Sequence, residues 1–227
     1  MRLLTADSPR ELANAATDWI AARLADKPRS AIALPTGKTP LGLYAELVAR
    51  YRSNRISCEY ARVFNLDEYC GLAQSNPRSY ADFLRRHLLD PLKLRPDQVR
   101  LLQGDAPDPL AECCAYDAAI AACGGIDLCI LGLGANGHIA FNEPYTDWSL
   151  RTHVVRLADT TRSSEAMPFH GITMGIRTIL EAQHILLLIA GNDKQAARDA
   201  LHHGVANPQW PVTSLLGHRE LTTIELS

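Results

Sequence analysis

The sequence predicts an α/β fold in which crossover helices cover a parallel sheet. Short apolar segments alternate along the chain with longer segments in which apolar residues recur every three or four positions, the spacing of an amphipathic helix. The apolar run at residues 126–131 is typical of a central strand that is buried on both faces. Parallel strands need crossover connections, which helices supply. Because the 227 residues contain no linker and no repeat, residues 1–227 are expected to form one domain.

The first half of the chain contains an opening helix and two strand-loop-helix units. The opening helix begins after Ser8, which forms a capping box with Glu11 and precedes a proline at the first helical position. The pattern then predicts strand 30–34, loop 35–38 and a helix that begins at residues 39–40, followed by strand 61–66, loop 67–76 and helix 77–88.

The second half continues the alternation around a long irregular segment. The predicted elements are helix 109–122, strand 126–131, irregular segment 132–169, helix 173–181, strand 185–190, helix 193–201 and strand 221–226. An irregular segment of that length inside a compact domain is more often functional than idle. We therefore expect it to contribute to a site.

The composition is that of a soluble globular protein. Hydrophobic residues make up 47% of the chain and charged residues 21%, which excludes a disordered chain. The balance of 23 Lys+Arg against 25 Asp+Glu argues against nucleic acid as the main ligand, because such an interface needs surplus basic charge. No apolar run approaches the about 20 residues of a membrane span. The six cysteines lack C-x-x-C spacing, so we expect reduced thiols, no zinc site and a cytoplasmic location.

Two glycine motifs resemble nucleotide-binding patterns by accident. Residues 37–39 read Gly-Lys-Thr, the end of a P-loop, but that pattern needs a glycine where this chain has Ile32. Residues 132–137 form a literal G-x-G-x-x-G after a strand, yet no long helix follows them. Neither a nucleoside triphosphate nor NAD is expected, and the sequence indicates no cofactor and no metal.

Polar residues follow two of the predicted strands directly. Asp67 and Glu68 come after strand 61–66, and the glycine-rich loop after strand 126–131 holds Asn136, His138 and Glu143. The carboxyl ends of parallel strands meet at one edge of a sheet, where open α/β sheets bind ligands. A histidine beside a carboxylate suits proton transfer. A structural histidine, and an acid pair that caps a turn, remain the alternative interpretations.

A third loop at the same edge has the features of an anion site. Thr36, Gly37, Lys38 and Thr39 precede a helix, whose first backbone N–H groups and positive dipole end favour a phosphate. Lys194, just after strand 185–190, adds a positive charge, although a single lysine at a helix start is also common at plain surface.

Four segments, taken in order, resemble the glucosamine-6-phosphate deaminase family and its galactosamine-6-phosphate isomerase relatives. They are Leu-Pro-Thr-Gly-Lys-Thr-Pro at residues 34–40, Phe-Asn-Leu-Asp-Glu-Tyr at 64–69, the stretch 132–144 that ends in Phe-Asn-Glu-Pro, and Gly-Asn-Asp-Lys at 191–194. The related 6-phosphogluconolactonases end the third segment differently, in an Ala-Ser-Leu-Phe-Pro type sequence. The resemblance implies a doubly wound, Rossmann-like fold with a mostly parallel sheet, helices on both faces and a short lid at about residues 145–170.

The same resemblance implies a metal-free reaction that turns glucosamine 6-phosphate and water into fructose 6-phosphate and ammonia. It assigns ring opening to His138, with Glu143 and Asn136 in support, and an enol-type proton transfer between C2 and C1 to Asp67. The implied phosphate ligands are Thr36, Gly37, Thr39 and Lys194. Deamination of galactosamine 6-phosphate to tagatose 6-phosphate, a 6-phosphogluconolactonase-like hydrolase and a non-catalytic sugar-phosphate-binding regulator are the alternatives.

The chain departs from the family pattern at several positions. Many members carry aspartate where this chain has Asn136, and the Ser-Arg-Phe-Phe motif, whose lid arginine grips the phosphate, is absent here. Arg162, His170 or Lys38 is expected to replace that arginine. Residues 151–156 lack the basic pair that hexameric, effector-activated relatives carry, so we expect a monomer or a small homo-oligomer.

Overall fold

The computed structural model describes residues 1–162, 164 and 166–227, and its core is a seven-stranded parallel sheet. The strands are β1 (Arg2–Ala6), β2 (Ala31–Leu34), β3 (Arg62–Asn65), β5 (Val99–Arg100), β6 (Leu128–Gly132), β9 (His184–Ile189) and β10 (Leu221–Leu226). Their order is β1-β10-β9-β6-β2-β3-β5. From β2 the chain proceeds outward to β3 and β5, and it then returns to β6 on the other side of β2 and proceeds to β9 and β10. The order therefore reverses between β2 and β6.

Helices cover both faces of this sheet, which confirms the predicted doubly wound α/β fold. They are α1 (Pro9–Asp26), α2 (Leu41–Arg52), α3 (Tyr80–Leu84), α4 (Pro109–Ala122), α5 (Ile176–Leu180) and α6 (Gln195–His202). A π-helical turn (Arg85–Leu89) extends α3, and 3-10 helices occur at Pro96–Gln98, Asn192–Lys194 and Pro211–Gly217. Among the described residues, no helix is long and apolar enough to cross a membrane.

Strand β6 contributes side chains to two hydrophobic cores, one on each face of the sheet. Leu128 and Ile130 pack with α1, α2 and α3, whereas Cys129 and Leu131 pack with α4, α5 and α6. Successive side chains of a strand point to opposite faces, so an uninterrupted apolar run fills both cores. This is the physical reason why residues 126–131 stand out in the sequence.

A second, antiparallel sheet lies beyond the carboxyl ends of the main strands and was not predicted. It consists of β4 (Asp67–Tyr69), β8 (His170–Thr173) and β7 (His153–Arg156), in the order β4-β8-β7. The loop predicted at 67–76 and the irregular segment predicted at 132–169 were therefore partly wrong. These strands have three or four residues and pair over long sequence distances, so no local periodicity reveals them.

Strands β1 and β5 also escaped prediction. Both lie at the edges of the main sheet, and their side chains are mostly exposed or half-buried. Edge strands therefore carry a weaker apolar pattern than the central ones.

The inner position of Leu131 allows a test of the packing. Its side chain is fully buried in the core between the sheet and α4, so Leu131→Ala should lower the free energy of unfolding by about 2–5 kcal/mol. The matched control is Leu110→Ala, because Leu110 is 67% exposed and should change stability by less than about 0.5 kcal/mol. Urea unfolding of the two variants measures both values, and equal midpoints would contradict the assigned core.

Candidate active site

A cavity of about 260 Å³ lies where the strand order reverses, at the carboxyl ends of β2, β3 and β6. Such reversal points are the usual ligand sites of open α/β sheets. The cavity is lined by residues 35–39, 66–67, 80, 132–135, 138, 140–141, 160–161 and 193–194. A larger depression of about 750 Å³ at the end of α2 is lined mainly by exposed polar residues, with neither a histidine nor a buried carboxylate. The smaller cavity is therefore the better candidate for chemistry.

Asp67 is a buried acid at the wall of this cavity. It begins β4 and is 6% exposed, and its Oδ1 atom has no hydrogen-bond partner among the described residues. Burial, with a smaller contribution from the charge of Glu68, raises the pKa of Asp67 to about 8. The backbone is held in place because Asn65 Nδ2 donates to the Asp67 carbonyl at 2.8 Å. A carboxyl group with this pKa can take up and release a proton near neutral pH.

The loop after β6 closes tightly around His138. The Gly134 N–H donates to the His138 carbonyl at 2.9 Å, and a Cβ built on Gly134 would lie 2.2 Å from His138 Cε1. Gly137 has a φ of 83°, and its carbonyl accepts the Val212 N–H at 2.9 Å. Glycine is required at both positions, at Gly134 for the close approach of the ring and at Gly137 for the left-handed backbone.

Asn136 connects His138 to Glu143. Its Nδ2 donates to Glu143 Oε2 at 2.9 Å, while its Oδ1 lies 2.7 Å from His138 Nδ1. An ionised carboxylate only accepts hydrogen bonds, so the amide must turn its NH₂ group to Glu143 and its oxygen to His138. The neutral ring therefore carries its proton on Nδ1, and Nε2 is the basic nitrogen.

The surroundings keep His138 neutral. Burial lowers the pKa of His138, Glu143 acts in the opposite direction and Lys194 lowers the pKa further. Glu143 is itself fixed by the Ala158 N–H, which donates to its Oε1 at 3.0 Å. A neutral imidazole with a fixed tautomer can accept a proton from a substrate hydroxyl and return it.

Another part of the cavity lining fits an anion. Thr36, Gly37, Lys38 and Thr39 line it just before α2, whose first turn has no side-chain cap. Uncapped backbone N–H groups at a helix start are ready donors to a phosphate. Lys194, with a side chain only 19% exposed, also lines the cavity.

The structure does not bring the two predicted lid contacts into the cavity. The Arg162 side chain is 7% exposed, donates to Asp159 Oδ1 at 2.6 Å and lies over the Phe169 ring at 4.0 Å. These contacts of Arg162 join residues of the predicted lid segment to one another. His170 is exposed in a separate depression beside Cys70. Residues 163 and 165 of the predicted lid lie outside the described residues.

Several lining residues were missed at the level of sequence. Tyr80, Thr160 and Thr161 line the cavity, and Thr161 Oγ1 lies 3.3 Å from His138 Nδ1. Tyr80 follows a helical apolar pattern and so looks like an ordinary core residue. Among the described residues, no three His, Cys, Asp or Glu side chains are grouped closely enough to hold a metal ion.

Comparison with known proteins gives a consistent picture. The family model described as glucosamine-6-phosphate isomerases/6-phosphogluconolactonase matches residues 5–224. The chain is 39% identical over 232 residues to a glucosamine-6-phosphate deaminase of Lysinibacillus sphaericus, covering 99% of this chain and 98% of that protein. It is 38% identical over 234 residues to glucosamine-6-phosphate deaminase 2 of Bacillus subtilis, covering 99% and 94%.

Solved structures agree with the sequence comparisons. A monomeric glucosamine-6-phosphate deaminase superimposes with a TM-score of 0.96 at 33% identity, covering 99% of this chain and 97% of that one. A 6-phosphogluconolactonase from Trypanosoma cruzi superimposes with a TM-score of 0.81 at 22% identity, covering 99% and 93%. The second likeness shows the fold alone.

The contact between Gly134 and the imidazole ring can be tested directly. In Gly134→Ala the new methyl group should push His138 out of its buried position, so the lowered pKa of His138 should rise toward the ordinary value of about 6.5. The control is Gly132→Ala, since a Cβ there would meet no atom within 4 Å. NMR titration of the histidine ring measures the pKa, and an unchanged value in Gly134→Ala would rule out the close contact.

Proposed function

The chain belongs to the glucosamine-6-phosphate isomerase/6-phosphogluconolactonase family, and on this premise we propose that it is an amino-sugar 6-phosphate deaminase. Its substrate is glucosamine 6-phosphate, which it converts with water into fructose 6-phosphate and ammonia. The observation that carries this proposal is the buried Asp67 carboxyl, whose Oδ1 has no hydrogen-bond partner within the described part of the chain, in the same cavity as the His138–Asn136–Glu143 hydrogen-bond chain.

Binding of the phosphate places the sugar in the cavity. The loop of Thr36, Gly37, Lys38 and Thr39 and the uncapped start of α2 receive the phosphate, and Lys194 adds a charge-assisted hydrogen bond. Tyr44 on α2 supports this loop by donating to the Pro35 carbonyl. A fixed phosphate orients the distant carbons C1 and C2 for the reaction.

Ring opening is the task of His138. Its basic Nε2 takes the proton from the C1 hydroxyl, the C1–O5 bond breaks, and the proton is delivered to O5. The products of this step are an aldehyde at C1 and a hydroxyl at C5. The amide of Asn136 and the carboxylate of Glu143 hold the ring in the tautomer that the transfer needs.

Asp67 then moves a proton between neighbouring carbons. In its ionised form it takes the proton from C2, and one proton of the C2 ammonium group passes to the C1 carbonyl oxygen, which leaves an enolamine. Return of the proton to C1 gives a C2 imine, and addition of water to the imine releases ammonia and the ketone. Hydrolysis of a lactone needs no such carbon-to-carbon proton carrier, so the buried acid favours the deaminase over the lactonase.

Each residue of this scheme lies in a single chain. We infer that the enzyme works as a monomer or a small homo-oligomer, in the cytoplasm where phosphorylated sugars are metabolised. The solved relative with the 0.96 TM-score is described as monomeric, which supports this inference.

The proposed function can be tested by assaying the parent protein on three substrates. Ammonia and fructose 6-phosphate should appear with glucosamine 6-phosphate, whereas 6-phosphogluconolactone should not be hydrolysed above its spontaneous rate. Faster turnover of galactosamine 6-phosphate to tagatose 6-phosphate would assign the enzyme to the other epimer. Lactone hydrolysis without ammonia release would overturn the proposal.

Replacing the proton carrier should abolish turnover and spare binding. Asp67→Asn keeps the shape of the side chain but cannot accept the C2 proton, so we expect kcat to fall by about 10²- to 10⁴-fold. Competitive inhibition by inorganic phosphate should stay as in the parent. Asp105→Asn, a change at an exposed aspartate, is the control. Activity of Asp67→Asn within tenfold of the parent would remove Asp67 from this role.

Loss of the cavity lysine should weaken substrate binding more than chemistry. Lys194→Ala removes a charge-assisted hydrogen bond, so KM should rise by about 10- to 100-fold with a small effect on kcat. Inhibition by inorganic phosphate should weaken in parallel. Lys93→Ala, at an exposed lysine outside the cavity, should leave both constants unchanged. An unchanged KM in Lys194→Ala would transfer the role to Lys38.

A further inference from the structure

Glu68, the neighbour of Asp67, is a fully buried acid that the reaction scheme leaves unused. Its Oε1 accepts the N–H groups of Tyr69 at 2.9 Å and of Tyr80 at 3.0 Å. Its Oε2 accepts the Ser79 hydroxyl at 2.6 Å and the Ala81 N–H at 2.9 Å. One carboxylate therefore accepts four hydrogen bonds, and three of them come from the residues at the start of α3.

These partners indicate that Glu68 is ionised. Burial raises the pKa of Glu68 and outweighs the four hydrogen bonds, which act in the opposite direction. Three of the four partners are backbone N–H groups, which can only donate, so the hydrogen of a protonated carboxyl could point only to the Ser79 hydroxyl, and the hydrogen bond that this hydroxyl donates would be lost. The geometry therefore favours a carboxylate over a carboxylic acid.

Glu68 joins two side chains that line the cavity. Consecutive residues of β4 point to opposite sides, so Asp67 faces the cavity while Glu68 faces α3. Gly104 packs closely against Glu68, because a Cβ added at Gly104 would lie 3.0 Å from the Glu68 Cγ. Through its bond to the Tyr80 N–H, Glu68 fixes the position from which the Tyr80 side chain reaches the cavity.

The charge of Glu68 also acts on Asp67. Burial is the larger cause of the raised pKa of Asp67, and the like charge of Glu68 is the second. Three phenols, Tyr44 of α2, Tyr80 of α3 and Tyr116 of α4, also interact with Asp67, and burial raises their pKa values so that they stay neutral. Across the cavity lie His138, which is neutral, and Lys194.

We propose that Glu68 is a positioning residue of the deaminase, whose buried carboxylate holds Tyr80 at the cavity wall and places a fixed negative charge on the residue next to Asp67. The inference rests on the proposed role of Asp67 in the reaction. Glu68 then makes two separable contributions to the site: the length of its side chain positions Tyr80, and its charge acts on the ionisation of Asp67.

Two substitutions separate these contributions. Glu68→Gln keeps the length and removes the charge, so the midpoint at which Asp67 ionises should fall by about one pH unit. Glu68→Asp keeps the charge and shortens the side chain, so this midpoint should stay while kcat falls several-fold because Tyr80 is displaced. The midpoint is measured in two ways, from the pH profile of kcat/KM and from ¹³C NMR titration of the Asp67 carboxyl without substrate. The amine of the substrate titrates identically with every variant, so differences between variants belong to the protein.

A milder variant covers the case in which Glu68→Gln does not fold. Ser79→Ala removes one of the four donors and leaves the charge, so it should lower kcat about two- to fivefold, as expected for one lost hydrogen bond, without moving the midpoint. Equal midpoints in Glu68→Gln and the parent would overturn the electrostatic part of the proposal, and unchanged kcat in both Glu68→Asp and Ser79→Ala would overturn the positioning part. Because the NMR titration needs no turnover, an inactive parent would refute the proposed function and the positioning part that depends on it, and would leave the electrostatic part of the test intact.

Discussion

The pairing of β4 with β8 is the interaction on which the site depends. Asp67 lies opposite Thr173 in this antiparallel pair, and the Thr173 hydroxyl accepts the Phe141 N–H at 3.1 Å. The next residue, Met174, accepts the Asn142 side chain on its carbonyl at 2.9 Å. A single short strand therefore fixes the acid and the histidine loop relative to each other, although they are about 70 residues apart in the chain. Catalysis at a carbon atom needs that precision, because small displacements of a proton-transfer group are costly in rate.

The amide at position 136 gives the site a different electrostatic character from that of an aspartate. An aspartate there would place a second negative charge beside Glu143 and would raise the pKa of His138. The amide transmits orientation through its two ends and contributes no charge, so His138 stays neutral and keeps a fixed tautomer. The orientation of His138 thus depends on the direction of the two Asn136 hydrogen bonds, whereas an aspartate at position 136 would also supply a negative charge.

The sequence allowed prediction of those parts whose cause is local. Strand β6 was visible because its apolar run fills two cores, and Asp67, His138 and the loop of residues 36–39 were visible because each follows such a strand. The small antiparallel sheet was not predictable, since its strands are very short and β4 is stabilised by a partner far away in the chain. Tyr80 was missed as a site component, and the contact of Glu68 with α3 was not foreseen, for the same reason: only the folded chain shows that the start of α3 reaches the cavity.

The burial of Asp67 couples folding to the protonation of this carboxyl. An aspartate in an unfolded chain releases its proton near pH ~4, whereas in the folded protein burial raises the pKa of Asp67 to about 8. Between these values the folded state binds more protons than the unfolded state, so the free energy of unfolding decreases as the pH rises through this window. The loss is on the order of 5 kcal/mol and persists at higher pH. The ionised form of Asp67 therefore becomes populated at the pH where this contribution to the free energy of unfolding has been lost.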